Sequence, residues 1–227
     1  MLVAGCGGGG GDSGAAAPSG PAPAPVASTS AFPLQVGYQS RVAAGASDSF
    51  AISGTCNGTA QIDNGPATVG TFEGVPGFAV TQTATVHFTN CQPSSSTATG
   101  ANYYDASYTP IGTSVTGVEY SRFATAPTAL PASVKVGDSA AYAILTTYMD
   151  STKSIATGQR VFSYLIEADT AATVAVDLVT KTYDSSNRLL LTQQTRYRMV
   201  ADGTLTLVSI DVQYSATSTV HLLYAKV

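Results

Sequence analysis

From about residue 35 to the carboxy terminus, the sequence is a succession of short runs in which apolar and polar residues alternate, separated by Gly, Asn, Asp or Pro. A period of two puts successive side chains on opposite faces of an extended strand, and turn formers at this spacing demand an all-β domain. Helical periodicity is nearly absent. The expected fold is an antiparallel meander forming a curved sheet, a two-layer sandwich or a half-barrel, preceded by a disordered tether.

The carboxy-terminal meander, residues 132–227, carries the clearest pattern. Asp202-Gly203 is a preferred pair for a two-residue type I′ hairpin turn, because both positions need positive φ. Pairing outward from it sets Met199 against Thr206, Tyr197 against Val208 and Thr195 against Ile210. Leu189, Leu191, Tyr197 and Met199 then share an apolar face with Val208, Ile210, Val212 and Tyr214. A turn at Asp184-Ser185-Ser186-Asn187 adds Val174, Val176 and Leu178 to that face. The run 161–166 differs: Val161 and Leu165 point one way and Phe162, Tyr164 and Ile166 the other. Both faces need cover, which argues for a second layer or a strongly curved or closed sheet. Residues 34–124 offer strands near 48–55, 58–64, 66–73, 78–89 and 113–123, and Ala124 to Pro131 reads as the connection between the two parts, which can form one domain.

Composition removes several function classes. Only 11% of the 227 residues are charged, with a formal net charge of -4, so no basic footprint for nucleic acid exists. No apolar stretch approaches the roughly 18 residues of a spanning helix. His87 and His221, the only histidines, each alternate within a strand-like run and lack a nucleophile partner. No metal set, phosphate-cradling loop or calcium loop is present, and no cofactor is expected. Asp63, Asp150, Asp184 and Asp202 sit in turn-like contexts where Asp caps its own backbone, leaving Glu73, Glu119 and Glu167 for acid or base work. No catalytic residue is assigned. Two sets could hold a ligand: Tyr103, Tyr104 and Tyr108, which could stack on a sugar or an apolar body, and Arg196 with Arg198, which could take an anion. The bland alternatives are aromatic core packing for the first set. For the second they are cross-strand ion pairs, with Arg196 diagonal to Asp177 and Asp211.

At the amino terminus, Leu2-Val3-Ala4-Gly5-Cys6 resembles a bacterial lipobox, in which an aliphatic and two small residues precede the cysteine that receives a diacylglycerol. The resemblance implies that Cys6 is the lipid-bearing first residue of the mature protein and its membrane partner site. Residues 1–5 would be the remnant of a signal peptide, with Met1 read as a late start inside a longer leader. Residues 6–33, almost wholly Gly, Ala, Pro and Ser, read as a tether that spans about 25 to 30 Å as a flexible coil. Gly7 stands where the lipoprotein sorting pattern would carry an Asp for inner-membrane retention, so an outer-membrane address is expected. With Cys6 lipidated, Cys56 and Cys91 remain as a pair in an oxidising compartment and are expected to form a disulfide. The functional expectation is a cell-envelope lipoprotein with a non-enzymatic binding or assembly role. The alternatives are a carrier or sensor of a hydrophobic ligand and, third, a hydrolase with an unrecognised site.

Overall fold

A computed structural model of the chain describes residues 25–215 and 220–227; Cys6 and the first part of the tether lie outside the described residues. Helix α1 (Leu34–Ala44) precedes thirteen strands: β1 (Ala46–Gly54), β2 (Gly58–Asn64), β3 (Thr68–Phe72), β4 (Val75–Phe88), β5 (Ser95–Asp105), β6 (Pro110–Val115), β7 (Glu119–Phe123), β8 (Ser139–Tyr148), β9 (Ala156–Ala168), β10 (Thr173–Asp184), β11 (Leu189–Val200), β12 (Leu205–Tyr214) and β13 (Val220–Lys226). From β4 to β13 each strand pairs antiparallel with the next, β13 returns to β1, and β1 pairs with β2. Contact between β2 and β4 closes twelve of these strands into a barrel, leaving β3 outside the ring on the upper half of β4. The end carrying α1 is called upper here.

The closing seam spans seven residue pairs, from Gly58–Phe88 to Asn64–Gln82. Gly58 lies where the two backbones come close; a Cβ there would run into the His87 carbonyl oxygen. Just below the seam, the expected disulfide joins Cys56 to Cys91 with their Cα atoms 5.7 Å apart. The Asn57 amide donates to Asn90 Oδ1 at 2.6 Å, and the Thr89 amide donates to the Asn57 carbonyl at 2.9 Å. The covalent link therefore staples the one pairing that makes the sheet a barrel.

Closure resolves the two-faced run at 161–166. Phe162, Tyr164 and Ile166 point into the barrel with Val174, Val176, Met199 and Leu205. On the outer wall, Ser47 and Ser49 hydrogen-bond to Asp63 and Gln61 across β1 and β2, and Thr83–Thr99 and Thr85–Thr97 face each other across β4 and β5. A barrel that crosses a membrane shows lipid an apolar outer band and keeps its polar residues inside. Across β1–β2 and β4–β5 the outer face is polar instead, and the interior mixes apolar side chains with amides, phenols and the Arg41–Asp48 pair.

The helix was not visible as a periodic pattern, and the reason lies in its faces. Val36 is exposed and Gly37 buried, so no clean apolar stripe forms. An isolated helix of 11 residues is marginal in water. Its hold comes from its ends: Leu34 is fully buried, and Phe32 just before it is 1% exposed and pairs with Val134. Burying each of these side chains contributes roughly 1.5 to 3 kcal/mol. They anchor the helix across the upper mouth, where Leu130 and Val134 of the segment between β7 and β8 also pack. The tether expected through Pro33 therefore ends earlier, since Val26 already bridges to Asp169 and Ser28 is buried.

Other expectations needed correction. The β11–β12 hairpin pairs Met199 with Leu205 and Tyr197 with Leu207, one residue off the two-residue-turn register. The chain uses a longer turn closed by Val200 and Thr204, with Gly203 at φ +92°, and a bulge between Arg196 and Tyr197 restores Thr195 opposite Ile210. Val208 consequently points outward. The run 113–123 is two strands, β6 and β7, turning at Gly117, and β5 was missed because its lower half is Ser, Thr, Ala and Gly. Asp150, Asp184 and Asp202 do cap their turns. Asp63 instead lies in β2, bonded to Ser47 and Gln61.

The β3–β4 hairpin lies against the outer wall, Phe72 stacked on Tyr103 at 4.1 Å between ring centroids. Its tip residue Glu73 binds Lys153 Nζ at 2.8 Å, the Tyr120 hydroxyl at 2.6 Å and Arg122 at 3.3 Å. The hydrogen bonds from Lys153 and Tyr120 hold the Glu73 carboxyl below the ordinary carboxylate value.

Reducing the disulfide frees a loop with a sequence separation of 35, and the chain-entropy model assigns such a loop about 3 to 4 kcal/mol. Urea unfolding of the full chain with and without reductant should show a loss of that order. Amide exchange should then accelerate first across β2 and β4. Equal acceleration around all the strands would contradict the role of the bond as a seam staple.

Candidate ligand site in the barrel lumen

Below the plug of α1 and its neighbouring loops, the barrel interior holds a partly open cavity of about 420 Å³. That lies within the roughly 300 to 1,000 Å³ of small-molecule sites. Its walls come from strand parity. In β1, Asp48, Phe50 and Ile52 occupy alternate buried positions, and on β10 to β12 Leu178, Thr180, Leu191, Gln193, Ile210 and Val212 share the inward face.

The cavity has two chemical poles. Toward the lower end it is lined by Ala84, Val86, Leu191, Val212 and Tyr214, all but Tyr214 aliphatic. Under α1 it is lined by Tyr38, Tyr104, Tyr142 and Tyr197 together with Arg41 and Asp48. The amides of Asn102 and Gln82 on one wall and Gln193 on the other lie between these poles.

Arg41 reaches the lumen because it follows Leu34 and Tyr38 on the inner side of α1, at the helical spacing i, i+4, i+7. Its guanidinium pairs with Asp48, and Lys226 at the end of β13 pairs with the other oxygen of the same carboxylate. Asp48 is 2% exposed, so its two cations are what make a buried charge tolerable there. Arg41 also lies beside the Tyr197 hydroxyl, and the Tyr38 and Tyr104 hydroxyls meet. Burial raises all four phenols: Tyr38 well above the ordinary value of 10, Tyr104 up to about 12, and Tyr142 and Tyr197 also upward. They remain neutral hydroxyls that can donate to a ligand oxygen.

The tyrosine cluster read from the sequence is divided by the pleat. Tyr104 points into the cavity opposite Phe78, whereas Tyr103 lies on the outer wall under Phe72. Tyr108, at φ +59°, stacks on Phe78 with 4.4 Å between centroids and sits 6.4 Å from Tyr104. Arg196 and Arg198 are outside the barrel and engaged by carboxylates. Arg196 bonds Glu167 at 2.7 Å and lies 3.4 Å from Asp177, its directly opposed partner rather than a diagonal one. Desolvation raises the Asp177 carboxyl, with Glu167 adding to it. Arg198 grips Asp169 at 2.6 and 3.1 Å. Asp211 pairs with His221 instead, at 2.8 Å, and His87 is likewise on the outer wall. Glu119 pairs with Arg160 at 2.9 Å. These groups are distributed over the barrel and converge on no common point.

Sequence reasoning missed Tyr38, Arg41, Asp48, Tyr142 and Tyr197 as a group. One signal was present: Asp48 is a carboxylate in register with Phe50 and Ile52 on an apolar strand face, a position that requires a buried counter-charge.

A phenol whose value is raised on folding contributes stability that is complete below its unfolded value, near 10, and lost as pH rises through its folded value. An alkaline tyrosinate titration should therefore leave a late fraction of the 12 tyrosines, ionising around 12 and above together with loss of β structure. A single step near 10 with the barrel intact would contradict the buried hydroxyl pole. In comparisons with known proteins, no family model matches the chain, and no curated protein or solved structure matches it, so its function is argued from the lumen itself.

Proposed function

We propose that this protein is a non-enzymatic binding protein of the cell envelope, lipid-anchored through Cys6, that holds a small, largely apolar ligand inside its barrel as a carrier or sensor. The observation that carries this reading is the cavity of about 420 Å³ inside the barrel beneath α1. Space of that size inside an otherwise close-packed protein forgoes dispersion contacts along its whole lining, and a ligand with an apolar body restores them. The lipobox-like Leu2 to Cys6 run supports the anchor and an outer-membrane address. The polar outer wall, Ser47, Ser49, Thr83 and Thr97 among its residues, supports a barrel held in water by its tether.

The lumen supports the carrier reading over a purely assembly role, because an assembly module needs a surface and not an interior. It also supports binding over hydrolysis. Among the described residues, the polar side chains facing the cavity are hydroxyls, amides and one paired Arg–Asp couple, without a nucleophile set beside a free base.

Two measurements test this. Ala84 faces the lumen, so Ala84→Trp should fill it. Binding of a neutral fluorescent naphthylamine probe should fall at least tenfold, with thermal unfolding unchanged or raised; undiminished binding in a folded variant would refute the lumen as the site. Cys6→Ala, expressed with its complete upstream reading frame, should move the protein from the membrane to the soluble fraction. Equal partition of variant and wild type would remove the anchor from the proposal.

A further inference from the structure

The upper pole of the cavity carries an imbalance of charge. Arg41 and Lys226 share the single carboxylate of Asp48, so the three groups together hold a net charge of +1. Among the described residues that line the cavity, Arg41 and Asp48 are the only charged ones. Nothing else in the lining neutralises the excess. A guanidinium has five N–H donors, and the side chains beside Arg41 are Asp48 and Tyr197. The phenols of Tyr38 and Tyr104, whose hydroxyls meet, line the same cavity, and Tyr38 neighbours Tyr197. Positive charge, uncommitted donors and neutral hydroxyls at one end of an apolar chamber are the chemistry that receives an anionic oxygen pair.

The rest of the cavity sets the body of the ligand. Along the strands, the level of Asp48 lies six residues above that of Gly54, which is joined through Leu222 to Val212 near the lower end. At about 3.3 Å per residue this is roughly 20 Å of wall. About 30 Å³ is the share of one water in the liquid, so 420 Å³ holds on the order of a dozen heavy atoms. That admits one medium-length chain.

We propose that the lumen binds a single-chain carboxylate amphiphile, its head between Arg41 and the tyrosine hydroxyls under α1 and its tail running down past Leu178 toward Val212. This rests on the reading of the lumen as the ligand site and adds the charge and orientation of the ligand. Asp48 then has two roles: it holds Arg41 in place, and it competes with the head group for the same cations.

The test uses the full chain with displacement of the neutral naphthylamine probe by dodecanoate and by dodecanol, which differ at the head alone. Dodecanoate should displace the probe at a concentration at least tenfold lower than dodecanol. Arg41→Gln should abolish that preference by weakening the acid about tenfold and leaving the alcohol unchanged. Asp48→Asn, which removes the competing carboxylate, should strengthen the acid relative to the alcohol. If Arg41→Gln fails to fold, Lys226→Gln at the strand end should reduce the preference several-fold. Equal displacement by acid and alcohol in the wild type would overturn the carboxylate proposal while leaving the lumen reading intact, as would variants that weaken both alike. Displacement by neither compound, with the probe bound outside the barrel, would overturn both.

Discussion

Seven residue pairs between β2 and β4 separate a closed barrel from an open sheet. With them, every inward side chain from Asp48 to Tyr224 faces another wall; without them, the same apolar face would lie in water. The pairing is non-local in its consequences although local in sequence, because it joins the first strands of the ring to a meander that has come all the way around through β13. Its supports are correspondingly specific: a glycine where the backbones crowd, a disulfide directly beneath, and a hairpin strand, β3, along the part of the β4 edge that β2 leaves uncovered.

Closure also decides where polar chemistry can go. Most charged residues pair on the outer wall, where water shares the work and each pair is worth little. Glu119 and Arg160 pair on the inward face of β7 and β9 toward the lower end, and the charged set that lines the cavity is the group under α1. There a buried carboxylate ties the helix to β1 and β13, and the same contacts leave cationic donors and phenols at the head of an apolar chamber. One arrangement thus serves two ends, closing the upper mouth and giving the cavity a direction. The helix contributes to both because Leu34, Tyr38 and Arg41 lie on one side of it.

Much of this was legible in the sequence where a pattern is carried by single strands. The all-β class, the disulfide, and the shared inward face of Val174, Val176, Leu178, Leu191 and Tyr197 all follow from alternation and compartment. The two-faced run at 161–166 even pointed to closure. What alternation does not encode is which distant edges meet, and the β2–β4 seam is such a meeting. The hairpin register slipped by one residue because Gly203 can serve either a two-residue turn or a longer one with a bulge, and the choice depends on packing beneath it. Helix α1 escaped notice because its burial is concentrated at Leu34 and against neighbouring loops. The ligand pole was hidden because Arg41 and Asp48 come to line one cavity with Tyr104 and Tyr197, far from them in sequence, only when the ring is closed.

A ligand held by this protein sits in the interior of the barrel if the proposed carrier role holds. The most direct measurement is nuclear magnetic resonance of the isotopically labelled chain, following backbone and methyl signals as a medium-chain amphiphile is added. Large shifts confined to inward residues such as Val86, Leu178, Leu191 and Val212, with the outward Thr83, Thr97 and Val208 unmoved, are the expected result. Shifts confined to the outer wall or to exposed turns, with the lumen methyls unchanged, would contradict it.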